Sequence, residues 1–128
     1  MKKEMIATSN APAAVGPYSQ AIRAGNLVFI SGQLGLDPLT GQLKEGGVTK
    51  QAEQALRNIE AILNAAGCSS DDVVKTTILL SSMADFAAVN GVYGAHFKDH
   101  RPARATYAVA GLPLGGLIEI EAIAVIAD

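Results

Sequence analysis

The stretch Pro102-Ala103-Arg104-Ala105-Thr106-Tyr107-Ala108-Val109, followed after a short connection by Ile118-Glu119-Ile120-Glu121-Ala122-Ile123-Ala124-Val125, sets charge inside two apolar runs. Successive side chains of a strand point to opposite faces, so this alternation predicts two strands, about Ala103 to Val109 and Leu117 to Ile126. Arg104 and Thr106 then share one face and Ala105 and Tyr107 the other; Glu119 and Glu121 share a face of the last strand. Arg104 has no carboxylate beside it in sequence. A guanidinium among small and uncharged neighbours must meet an anion across the fold or in a ligand, because an unpaired buried charge is costly. A ligand carboxylate held by the planar fork satisfies it well, and a structural ion pair is the competing reading.

Outward from these strands the elements alternate. Met5-Ile6-Ala7-Thr8 reads as a short strand, and the Ala- and Pro-rich stretch to Pro17 as an extended loop with Tyr18 at its exit. Ala21 to Ala24, the turn Gly25-Asn26 and Leu27 to Gln33 make a hairpin, since Gly supplies the positive φ of tight turns. Asp37 to Gly41 marks a further turn. From about Thr49 to Ala66 the residues Ala52, Ala55, Leu56, Ile59, Ile62, Leu63 and Ala66 fall at helical spacing, and Gly67 stops the helix. Val73 to Leu80 is rich in β-branched residues and reads as a strand. Ser82 resembles a helix cap with Asp85 in the first turn, and the helix after it presents Phe86, Val89, Tyr93 and Phe97 on one side. The order predicts a single α+β domain over residues 1–128, one mixed sheet with both helices on one face. A right-handed crossover through the first helix runs Leu27–Gln33 and Val73–Leu80 parallel. Ile123 to Ile126 is apolar on both sides, so the second sheet face is expected to be covered.

Composition narrows the function classes. The chain has 128 residues, 49% hydrophobic and 17% charged, with 10 Lys+Arg against 12 Asp+Glu, a balance that argues against an electrostatic grip on nucleic acid. Met1 to Ile6 has a charged front with no apolar segment behind it, and no run is long enough to span a membrane, so a cytoplasmic location is expected. The lone Cys68 makes neither an internal disulfide nor a cysteine metal site. A mean hydropathy of +0.26 with charge this sparse suggests apolar surface covered by other subunits.

Together, Pro102-Ala103-Arg104, the strand Ile118 to Ala124, the opening Asn10 to Ala21 with its Gly16-Pro17-Tyr18-Ser19-Gln20, Phe29-Ile30-Ser31-Gly32-Gln33, Val74-Lys75-Thr76-Thr77 and Phe86 to Tyr93 resemble the Rid (reactive intermediate deaminase, formerly YjgF) family, in its archetypal RidA subgroup. The resemblance runs over nearly the whole chain in order. It implies a chorismate-mutase-like fold and a homotrimer with a barrel-like core and a cleft at each subunit boundary. It also implies hydrolysis of reactive 2-imino and enamine acids, such as 2-iminopropanoate and 2-iminobutanoate, to the 2-keto acid and ammonia, without a cofactor or metal. By this resemblance Arg104 holds the substrate carboxylate and Glu119 orients a water. Tyr18, Ser31, Gly32 and Asn90 line the cleft. Thr106 replaces a cysteine present in many relatives, which leaves the backbone amide of residue 106 to bond the ligand. The connection from Phe97 to Pro102 is short for the family and reshapes the cleft rim.

Rival readings share some of these residues. A non-catalytic sensor of 2-keto acids or other small carboxylates would use Arg104 equally well, and a ribonuclease or translation inhibitor is disfavoured by the acidic balance. His96 and His100 are spaced for one helix face, yet Phe97 stands where a metalloprotease motif carries Glu and no further ligands lie nearby, so no metal is expected. Gly111 to Gly116 lacks the strand-loop-helix context of a phosphate loop and reads as a strand connection, and Gly46-Gly47 as a flexible loop.

Overall fold

Two glycines mark where the chain turns into regular structure. Gly25 (φ 64°) occupies the first position of the two-residue loop Gly25-Asn26 between β2 (Ala21–Ala24) and β3 (Leu27–Leu34). Positive φ at that first position alone is the turn whose twist suits adjacent strands. Gly67 (φ 82°) ends α1 (Gly47–Ala65): its amide donates to the Asn64 carbonyl and that of Cys68 to Leu63, the paired bonds of a Schellman cap. The helix begins two residues before the expected Thr49, because Gly46 adopts the left-handed conformation and needs no side-chain cap.

The computed structural model describes residues 2–126. Among them, β1 (Lys3–Ile6), β2, β3, β4 (Val73–Leu80), β5 (Ala103–Ala108) and β6 (Ile118–Val125) form one sheet, ordered β1-β2-β3-β6-β4-β5. β1 starts two residues before the expected Met5, its register fixed by pairing Met5 with Ile22. All neighbours are antiparallel except β4 and β5, which α2 (Phe86–Phe97) joins as a parallel pair. β3 and β4 run in the same direction, as expected, but β6 lies between them.

Both helices lie on one face. Val28 and Ile30 of β3, Ile78 and Leu80 of β4, and Ile118, Ile120, Ala122 and Ala124 of β6 point toward α1 and are buried. Ala52, Ala55, Leu56, Ile59, Ile62 and Leu63 meet them, and each large aliphatic side chain buried there contributes about 1.5–3 kcal/mol. One flank of α1 is polar yet buried. Gln51 Oε1 accepts from the Leu117 amide, and Asn58 Nδ2 donates to the carbonyls of Leu34 (3.1 Å) and Leu36 (2.9 Å). These bonds fasten the helix to the ends of β3 and β6. Gly35 permits the approach, since a Cβ there would stand 2.4 Å from the Gln51 carbonyl oxygen.

The other face carries Phe29, Lys75, Thr77, Leu79, Ala105, Tyr107, Glu119, Glu121, Ile123 and Val125, and no element of the described chain covers it. Phe29 is 43% and Tyr107 51% exposed, a level more usual for a surface awaiting a partner than for aromatic strand residues on a finished fold. Among the described residues no helix is long and apolar enough to cross a membrane.

Candidate functional site

A β-bulge builds the first half of the site. Ile30 pairs with Ala122 but the next paired residue, Gln33, meets Ile120, so β3 carries one extra residue at Ser31-Gly32. The Ser31 amide donates to the Gln20 carbonyl and its hydroxyl donates to the Ser19 carbonyl at 2.6 Å. This fixes the loop that ends in Tyr18, itself 51% exposed. Beneath the loop, buried Gln20 bonds Thr8 and the carbonyls of Ala11 and Pro12, giving the extended N-terminal segment a rigid seat. Glu119 lies over the bulge: a Cβ on Gly32 would stand 2.7 Å from Glu119 Oε1 and 2.8 Å from its carboxyl carbon. A side chain at position 32 would displace that carboxylate. Burial, and after it the neighbouring Glu121 charge, push the Glu119 carboxyl above its ordinary value.

The second half stands on the far side of the sheet. Arg104 pairs in register with Thr76, and its side chain extends toward α2. Its Nη1 donates to Asn90 Oδ1 at 2.8 Å, while its guanidinium carbon sits 4.9 Å from the Tyr93 ring centroid and 5.6 Å from that of Phe86. Phe86, Asn90 and Tyr93 lie at i, i+4 and i+7, one stripe of α2. Tyr93 is held in turn by a 2.7 Å hydrogen bond with Thr76. Arg104 has no carboxylate partner among the described residues, where the ion pairs are Lys44–Asp37 and Lys50–Glu53. It is exposed on an edge strand. The expectation of a buried charge is therefore corrected: α2 aims the guanidinium, and water reaches its remaining donors. A cavity of about 400 Å³ adjoins it, lined by Asn90, Tyr93, Phe97, Lys98, Pro102 and Arg104 among others.

The expected residues thus fall into two groups. Ser31, Gly32 and Glu119 come together at the bulge, Tyr18 stands on the loop that Ser31 anchors and lines a separate cleft with Met5, Ala7 and Ala14, and Arg104 and Asn90 meet at α2. Glu119 pairs with Leu79, and Leu79 with Tyr107, three residues along β5 from Arg104. Two strand spacings and three residues separate the pair by roughly 14 Å, on opposite faces. Within one chain they cannot meet a common small substrate. Thr106 Oγ1 is shielded by the chain's own atoms and has no hydrogen-bond partner among the described residues. Phe86 and Tyr93 were legible only as a packing stripe; their role beneath a guanidinium depends on a strand that follows them in sequence.

The two histidines have separate partners. His96 Nε2 meets Ser70 Oγ at 3.0 Å, and His100 Nε2 meets the Val73 carbonyl at 2.6 Å. Burial lowers the His96 pKa. Cys68 is buried, and its thiol pKa is raised by that burial.

The family model described as Endoribonuclease L-PSP matches residues 8–126. A Mus musculus protein named 2-iminobutanoate/2-iminopropanoate deaminase is 55% identical over 123 residues, 96% of this chain and 91% of its own. Among solved structures, RidA from the Antarctic bacterium Psychrobacter superposes with a TM-score of 0.93 at 53% identity, covering 96% of this chain and 99% of that one. E. coli TdcF with bound serine gives a TM-score of 0.92 at 42% identity, covering 97% and 99%.

Proposed function

The chain belongs to the Rid family, whose model carries the Endoribonuclease L-PSP description, and from that premise we propose that it is a hydrolytic deaminase of reactive 2-imino acids, 2-iminobutanoate and 2-iminopropanoate. The observation that carries the reading is Arg104, aimed by Asn90, Phe86 and Tyr93 and free of any carboxylate partner among the described residues. Its open donors suit a substrate carboxylate. A small amino acid bound to TdcF is in keeping with this.

The chemistry asks mainly for orientation. With the carboxylate on Arg104, the imine carbon faces a water held by Glu119. The water oxygen bonds to that carbon, the C=N electron pair moves to nitrogen, and the proton lost by water passes through the Glu119 carboxylate to the nitrogen. The carbinolamine then breaks its C–N bond, its hydroxyl proton going to the departing ammonia and leaving the 2-keto acid. A carboxyl lifted by burial is a better proton acceptor than an ordinary one, which suits Glu119 to the role of base as well as water holder. Tyr18 covers the ligand, and the Ser31-Gly32 bulge and the amide of residue 106 supply polar contacts.

Because Arg104 and Glu119 occupy opposite faces of one sheet, the working cleft joins Arg104 of one subunit to Glu119 of another. A homotrimer packed through the uncovered sheet face is the assembly proposed. The test generates 2-iminobutanoate with an amino acid oxidase and traps the remaining imine with semicarbazide. Wild type suppresses trapping. Arg104→Ala loses at least about thirtyfold in kcat/KM, as expected where removing one partner of a charge pair closed off from water costs about 2–5 kcal/mol. Mixed trimers of Arg104→Ala and Glu119→Gln subunits recover roughly a quarter of the activity by random assortment, since some boundaries unite two intact residues. Full activity in Arg104→Ala would overturn the assignment. A carboxylate sensor would bind through Arg104 without turnover, which the same assay reads. The net charge of −2 lends an RNA substrate no support.

A further inference from the structure

The cavity beside Arg104 is larger than the substrates named above require. In the single chain it is an open cleft of about 400 Å³, with room beyond the about seven non-hydrogen atoms of 2-iminobutanoate. Its walls are Tyr93, Phe97 and Pro102, its rim is Lys98, Arg101 and Arg104, and no acidic residue lines it. None of these three cations is ion-paired among the described residues.

The rim is held in place. The Lys98 amide donates to the Gly94 carbonyl, the His100 amide to that of Phe97, and the His100 ring is tied to Val73. Lys98 adopts φ 59°, ψ −120° directly after α2, a conformation in which glycine ordinarily stands. A cation at a helix C-terminus is explained by the helix dipole alone. That account explains neither the positive φ kept by a lysine nor the cavity behind it. Arg101 lies three residues before Arg104, so their backbones stand at most about 11 Å apart.

Resting on the deaminase reading, we propose that this cavity takes a substrate side chain ending in a second carboxylate. The protein acts on dicarboxylic 2-imino acids, 2-iminosuccinate and 2-iminoglutarate, with Arg104 on the first carboxylate and Lys98 and Arg101 on the distal one. 2-Iminoglutarate, with about ten non-hydrogen atoms and a second carboxylate, extends further into that space toward the rim cations than 2-iminobutanoate does.

The experiment has two arms. In the first, glutamate oxidase or aspartate oxidase generates the dicarboxylic imines, and semicarbazide trapping compares kcat/KM with that for 2-iminobutanoate. Wild type handles 2-iminoglutarate at least as well as 2-iminobutanoate. In Lys98→Gly/Arg101→Ala, in which the glycine also relieves the positive φ, the ratio of the two falls at least tenfold. In the second, calorimetry compares binding of 2-oxoglutarate and 2-oxobutanoate. Wild type favours 2-oxoglutarate at least tenfold, and the double variant loses that preference. Turnover of 2-iminobutanoate with neither preference overturns the inference and leaves the deaminase reading standing. No turnover of any imine, with the 2-oxoglutarate preference present and abolished in the variant, upholds the dicarboxylate site and removes the deaminase reading. Absence of both turnover and preference overturns both.

Discussion

The two faces of the sheet were given the same backbone and opposite tasks. Toward α1, every alternate residue of β6 from Ile118 to Ala124 is buried by atoms of its own chain, and the buried polar groups Gln51 and Asn58 have partners. On the reverse, Phe29, Ile123 and Tyr107 surround Glu119 and Glu121 with nothing above them in the described chain. One face is finished by folding; the other has the apolar and aromatic composition of an interior and carries two carboxylates. The proposed trimer would cover it with a second subunit.

The sharpest test of that contrast uses two isoleucines. Ile123→Asp, on the uncovered face, is expected to abolish assembly and imine hydrolysis together, while far-ultraviolet circular dichroism retains the native spectrum; sedimentation velocity separates the species. Ile78→Ala, on the helix-covered face, lowers stability by about 2–5 kcal/mol in urea melts, because it opens a cavity in a packed core. An Ile123→Asp variant that stayed assembled would erase the distinction.

A second comparison lies within the uncovered face. Gly32→Ala places a methyl group where the Glu119 carboxylate rests, so kcat falls by at least about tenfold with the melting temperature little changed. If kcat were unaffected, the seat of Glu119 over the bulge would be irrelevant to turnover.

The smallest effect concerns the neighbouring carboxylate. Because burial and Glu121 raise the Glu119 pKa, activity that needs the Glu119 anion is lost, on acidification, at a higher pH than an ordinary carboxylate would impose. Glu121→Gln removes the second cause and leaves the first, so the acid limb of the kcat/KM profile moves to lower pH by a fraction of a unit. A limb that moved upward would contradict the arrangement.

Much of the covered face was legible because its signals are local. The spacing of Ala52, Ala55, Leu56, Ile59, Ile62 and Leu63 gives α1 without reference to anything else. The burial of Gln51, Gln54 and Asn58 was not legible: their partners include Leu34, Leu36 and Leu117, and nothing in a glutamine's own neighbourhood announces a distant carbonyl or amide. Alternation foretold that Arg104 and Thr106 share a side. It could not reveal that Arg104 is exposed, since edge position depends on the strand order. Glu119 and Glu121 shared a face as expected, but the bulge that seats Glu119 breaks the very alternation from which strands are read. The Rid resemblance supplied the membership of the site, whereas its division into two distant halves became visible only with pairing registers.

That strand order also bears on how the molecule forms. β6 follows every other strand in sequence yet stands between β3 and β4. Until it inserts, the β1-β2-β3 meander and the β4-β5 pair have no hydrogen bonds to one another, and each presents an open ladder edge. Closing the sheet therefore requires contacts across most of the chain, the topology associated with slow folding and with transient exposure to edge-to-edge misassociation. Residues 118–125 act as the keystone: the two halves of the sheet become one cooperative unit only when that strand arrives.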